Sequence, residues 1–166
     1  RRFPNVSGAM LDDFFAATGP RYSAAELTAF RQRLRSEAPR PLDLWVVWYE
    51  HQLQRDDISE CLAVCDVITF WTWRGENLAH LEDNLATVRR ATPGKRLLAG
   101  CYMWDYGNCR PLPPGAMQAQ CETYLEHMLR GDLDGMIVCS NCIADIGLDT
   151  TEWLRQWICD VGDTPC

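Results

Sequence analysis

In this 166-residue chain, carboxylates and aromatic residues gather where apolar runs stop. "LDDFF" ends on Asp12 and Asp13, "WYEHQL" carries Tyr49, Glu50 and His51, and "FWTWRGE" carries Trp71, Trp73, Arg74 and Glu76. "CYMWDYG" supplies Tyr102, Trp104, Asp105 and Tyr106, and "CSN" supplies Ser140 and Asn141. Carboxyl groups can take or give a proton at a reacting oxygen. Indole faces stack on the C–H faces of sugar rings, and an amide or hydroxyl bonds their hydroxyls.

Each position also has a plainer reading. Adjacent carboxylates at a strand terminus point to opposite faces, so one of Asp12 and Asp13 faces a binding mouth while the other caps a loop or braces a neighbour. By the same alternation Glu50 shares a face with Trp48 and Val46, and His51 with Tyr49 and Val47, so one of the two reaches a cleft. A Glu beside a His is equally a hydrogen-bonded loop pair. Gly100, Tyr102 and Trp104 alternate on one face, and Asp105 lies between Trp104 and Tyr106. Partial desolvation there would raise its pKa towards general-acid use; the alternative is a turn residue ahead of Gly107 and Asn108. Any single Trp is a common core filler, yet several of the seven lie at strand ends, where Trp71, Trp73 and Trp104 would line a saccharide cleft. Ser140 has no G-x-S-x-G elbow, and His80 and His127 fall within predicted helices, so neither serine nor thiol nucleophiles are expected.

These residues need elements to hold them. Strand patterns appear in "SGAMLDDFF", "PLDLWVVWYEH", "CDVITFWTW", "RLLAGCYMW" and "LDGMIVCSN". Helical spacing appears in "SAAELTAFRQRLRSEA", "DISECLAVC", "ENLAHLEDNLATVRRA", "AMQAQCETYLEHMLRG" and "DTTEWLRQWICDV". Ser23 and Glu26 form a capping box, and Gly131 is placed to end the fourth helix. Continuous apolar strands alternating with amphipathic helices predict a parallel sheet.

Composition narrows the partners. A net charge of −7 with no basic cluster excludes a nucleic-acid groove. No apolar run is long enough to span a membrane. Nine cysteines include Cys101 and Cys139 inside apolar runs, which read as buried thiols; a disulfide through Cys159 or Cys166 is the alternative. Zinc would need a second matched pair or spaced histidines beside Cys139 and Cys142, so neither a metal nor a cofactor is expected. Compartment and oligomeric state are left open.

No glycine-rich phosphate turn follows any strand, which disfavours a nucleotide-binding sheet. Strand-end functional residues instead suit a (β/α)8 barrel, whose active site lies at the C-terminal ends of its strands. A complete barrel takes about 250 residues. The expectation is therefore α/β, with parallel (β/α) repeats forming a single domain over 1–166: the C-terminal five-eighths of a TIM barrel, and hence a fragment.

On the "LDDFF" and "CYMWDYG" strand ends the chain resembles glycoside-hydrolase-like (β/α)8 proteins, in particular uncharacterised bacterial ones, along its whole length. Asp12-Asp13 is shorter than the D-x-x-D-x-D-x-E strand of chitinase-like barrels, and Met103-Trp104-Asp105-Tyr106 does not follow their M-x-Y-D order. The resemblance implies hydrolysis of a carbohydrate by paired carboxyl groups. The candidates are Asp12 or Asp13 with Asp105, and Glu50 in reserve; His51, Tyr49, Trp71, Trp73, Arg74, Tyr102, Trp104 and Asn141 would contact the sugar. Two alternatives stand beside it. One is a non-catalytic carbohydrate-binding barrel, and the other a metal-dependent hydrolase using Asp12, Asp13, His51 and Asp105.

Overall fold

Five parallel strands lie side by side in chain order: β1 Gly8–Leu11, β2 Asp43–Tyr49, β3 Val67–Trp71, β4 Arg96–Tyr102 and β5 Gly135–Cys139. This is a computed structural model, and it describes residues 4–139 and 145–164. The sheet curls into a half-barrel. Val46 pairs with Ile68 and Val47 with Thr69, both in parallel register, as the alternating pattern requires. β1 and β5 are its edges, each paired on one side only among the described residues.

Helices α1 Ala24–Ser36, α2 Ser59–Val64, α3 Leu81–Ala91, α4 Pro114–Leu129 and α5 Asp149–Val161 connect or follow the strands. The expected capping box starts α1: the Glu26 amide donates to Ser23 Oγ, and the Ser23 amide donates to Glu26 Oε2. Pro114 opens α4, where its missing amide proton is not needed, and Gly131 with φ +75° follows its end.

The two faces of the sheet are filled differently. Leu44, Val46, Ile68, Phe70, Leu97 and Ala99 point outward into one core with Leu27, Leu85, Val88, Met117 and Tyr124 of the helices. Burying a side chain of Phe70's size stabilises the fold by about 2–3 kcal/mol. The concave face carries a second cluster, with Val47, Tyr49 and Trp71 packed by Trp73, Tyr102, Ile137 and Cys139. Here glycine has a definite role: a Cβ on Gly100 would lie 1.9 Å from the Trp71 indole, which covers that position from the neighbouring strand. Gly8 leaves room for Trp45 in the same way.

The end of the sheet opposite the strand C-termini is held by charge. Asp66, just before β3, accepts bonds from Arg31 Nε at 2.9 and 3.0 Å, from Arg35 Nη2 at 2.8 Å and from the Leu44 amide at 3.0 Å. Burial works to raise its pKa, but these donors outweigh it and hold the carboxyl below its ordinary value.

Cys61, Cys65, Cys101 and Cys121 are buried thiols, with 3.8 Å between the sulfurs of Cys101 and Cys121. Cys159 is an exposed thiol, so the disulfide expected as an alternative does not form at that residue. Cys142 and Cys166 lie outside the described residues.

Gly100→Val places its first carbon inside the Trp71 ring. Overpacking of this kind costs about 1–3 kcal/mol, and denaturant unfolding of the variant should show a loss in that range together with altered tryptophan emission. Unchanged stability would mean that Trp71 does not lie over Gly100.

Candidate functional site

β1, β2, β3 and β4 deliver their C-terminal ends to one mouth. β1 stops at Leu11, and Asp12 just beyond it accepts on Oδ1 from the Tyr49 hydroxyl at 3.0 Å and from the Asp13 amide at 2.8 Å. Tyr102 borders the same cavity as Tyr49 and Asp12. Burial, reinforced by Asp12, pushes Tyr49 well above the usual phenol range, and burial, reinforced by Tyr49, does the same to Tyr102. Both phenols stay protonated at ordinary pH, and Tyr49 gives its hydrogen to Asp12. Oδ2 of Asp12 has no hydrogen-bond partner among the described residues.

An aromatic cluster surrounds the Tyr49–Asp12 hydrogen bond. Trp71 and Tyr102 have ring centroids 4.6 Å apart, Tyr49 and Trp73 meet edge to face at 5.8 Å, and Trp73 stacks on Tyr106 at 5.3 Å. His51 stacks on Tyr49 at 5.5 Å and is exposed. Trp71 is itself fixed by donation from Nε1 to Thr69 Oγ1 at 2.9 Å. Among the described residues, two cavities open here. An inner one of about 350 Å³ is bordered by Met10, Asp12, Val47, Tyr49, Trp71 and Tyr102. An outer one of about 410 Å³ is bordered by Asp13, Arg21, Tyr49, His51, Gln52 and Trp73.

Other expectations need correction. Asp105 does not open into this cavity, because β4 ends at Tyr102 and Met103 turns into the helix-side core, 1% exposed. Trp104 and Asp105 then pair antiparallel with Pro111 and Arg110 in a short ribbon. Asp105 accepts from the amide and side chain of Asn108, from the Gly75 amide and from Arg110 Nε. Its carboxyl is 1% exposed, and although burial acts to raise its pKa, these donors hold it below the ordinary value. The expected upward shift is thus reversed: Asp105 is the turn residue of the alternative reading. Trp104 makes no ring contact with Trp71 or Tyr102 and does not continue their face.

Glu50 is a brace between strand ends. It starts a single helical turn, Glu50–Gln52, and accepts from the Trp73 amide at 2.8 Å, the Arg74 amide at 3.4 Å and Asn77 Nδ2 at 3.0 Å. The Arg74 side chain pairs with Glu76 at 3.8 Å and is exposed. Asn141 lies outside the described residues. Among the described residues no three His, Cys, Asp or Glu side chains are placed to hold a metal ion; Asp105, tied into its own loop, does not join Asp12, Asp13 and His51.

Arg21, Gln52 and Cys139 border the mouth without having been expected there. Gln52 folds back, accepting from the Tyr49 amide and donating to the Phe15 carbonyl, a contact that no local spacing announces. Comparison with protein-family models, curated proteins and solved structures finds no match.

Because the folded pKa of Asp105 is depressed, the stability it contributes is present above its ordinary value of 3.8 and is lost as pH falls through the folded value. Asp105→Asn should cost about 1–3 kcal/mol at pH 7, and the gap to the unaltered chain should shrink below about pH 4. Urea unfolding at pH 7 and pH 3 checks both; a gap that widened in acid would contradict this role.

Proposed function

We propose that this chain is the C-terminal five-eighths of a TIM barrel of the glycoside-hydrolase type, and that its mouth acts on a carbohydrate. The observation that carries this reading is the Asp12 carboxylate, fixed through one oxygen by Tyr49 and the Asp13 amide beside a cavity walled by Trp71 and Tyr102. Aromatic faces suit the C–H faces of a sugar, and a carboxylate with an unpartnered oxygen suits its hydroxyls or its glycosidic oxygen. The edges of β1 and β5, unpaired among the described residues, and the exposed Val6 before β1 and Met10 within it support continuation of the sheet by further βα units, since barrels leave no edges.

Glycoside cleavage needs one carboxyl group to protonate the leaving oxygen and a second to attack the anomeric carbon or activate water. With Asp105 and Glu50 engaged in loop bracing, the pair remaining in the mouth is Asp12 and Asp13. The Asp13 carboxylate has no hydrogen-bond partner among the described residues. A non-catalytic carbohydrate-binding barrel is the second reading, favoured by the fact that two of the four candidate carboxylates serve the fold. Turnover separates the two.

A panel of glycans, assayed for binding by calorimetry and for release of reducing ends, tests the proposal. Asp12→Asn should lower release by about 10²–10⁴-fold while glycan affinity stays within about threefold. Undiminished release would remove Asp12 from the chemistry; binding without any release by the unaltered chain would favour the binding barrel.

A further inference from the structure

We propose that Cys101, Cys121 and Met117 form a binding site for a soft monovalent metal ion, Cu(I), in the layer between β4 and α4. The site lies behind the sheet and does not rest on the carbohydrate reading. Cys101 projects from β4 into the same core as Leu97 and Ala99, and Met117 and Cys121 stand one helical turn apart on α4, hence on one face of it. All three residues are 0% exposed.

Their sulfurs meet at a separation that one ion can bridge. Cys101 Sγ lies 3.8 Å from Cys121 Sγ and 3.9 Å from Met117 Sδ. With metal–sulfur bonds of about 2.3 Å, two sulfurs that share an ion in tetrahedral or trigonal geometry stand about 3.8–4.0 Å apart. Two thiols and a thioether are soft donors, which suit Cu(I), and three of them fall short of the four ligands that a structural zinc takes.

Gln120 points to a charged sulfur independently. This amide is 2% exposed, and its Oε1 accepts from the Tyr124 hydroxyl at 3.5 Å, which turns Nε2 towards the cluster. Nε2 lies 3.2 Å from Cys101 Sγ, 3.7 Å from Met117 Sδ and 3.5 Å from the Tyr102 carbonyl oxygen. Thiol and thioether sulfurs are weak acceptors, so they serve a buried amide poorly, whereas a hydrogen bond to an ionised group is about twice as strong. Cu(I) supplies that charge. Its bonds form at Cys101 and Cys121, the two S–H bonds break, both protons leave to solvent, and no electron is transferred. The complex then carries one negative charge, faced by the Gln120 amide.

Anaerobic titration of the whole chain with Cu(I), held by a bicinchoninate competitor, tests the proposal. The ion is added to the folded chain and, separately, during refolding from urea, so that burial of the sulfurs does not limit entry. In protein labelled with ¹³C at the methionine methyls, the Met117 signal, assigned by its loss in Met117→Leu, should move with the first equivalent while that of Met10 stays in place. X-ray absorption should find three sulfurs at about 2.3 Å from the ion. Cys121→Ala should lower affinity at least about 100-fold, and Met117→Leu, a volume-conserving change, about tenfold, with both folds checked by circular dichroism. Equal uptake by the two variants and the unaltered chain, a stationary Met117 methyl signal, or no uptake by either route overturns the site.

Discussion

The mouth depends on the absence of a side chain at position 100. Trp71 lies across Gly100, and from there the contacts run outward: the indole meets Tyr102, Tyr102 packs with Tyr49 in the concave cluster, and Tyr49 donates to Asp12. The same residue is gripped from behind, where the Tyr124 hydroxyl of α4 donates to the Gly100 carbonyl at 3.1 Å. One backbone position therefore couples the helix layer to the aromatic floor. Displacing the indole would carry Tyr102 with it and deprive Asp12 of a donor whose orientation depends on that stack.

Negative charge is divided by task along the barrel axis. At the end away from the mouth, Asp66 and Asp43 engage Arg31, Arg35 and Arg96 and tie α1 to the sheet. In the loops after β2 and β4, Glu50 and Asp105 accept from backbone amides and hold the turns in place. Asp12 and Asp13 differ from both groups. They sit beside cavities, with oxygens that have no partner among the described residues. A carboxylate whose hydrogen bonds are all made within its own loop stabilises that loop; one with lone pairs facing a cavity is available to a ligand.

The architecture was legible because its signals are local and repeated. Alternating apolar residues in "LDLWVVWY" and "VITFW", the capping box at Ser23 and the small residue at 100 all express periods of two or 3.6, and the parallel order of strands follows from their separation by helices. Asp105 departs from the strand pattern for a physical reason. The alternation runs on through Met103 to Trp104 in the sequence, whereas in the fold Met103 is captured by the outer core and the chain turns off into an antiparallel ribbon. Burial was foreseen correctly there, but its effect on the carboxyl is reversed by four nearby donors, which come from Gly75 and Arg110 as well as Asn108. Arg21 and Gln52 could not be placed from spacing, because their roles arise from loops folding back over β1 and β2.

The central claim is that a sugar lodges against the aromatic floor of the concave face, and the indole N–H resonances read this directly. Four of the seven tryptophans form two separate pairs: Trp71 and Trp73 belong to the concave aromatic cluster, whereas Trp153 and Trp157 stack on each other along α5. In a ¹⁵N-correlated titration of the chain with a bound glycan, the Trp71 and Trp73 signals should shift together and saturably, while those of Trp153 and Trp157 stay in place. Saturable shifts confined to Trp153 and Trp157, or no indole shift at saturating glycan, would contradict the account.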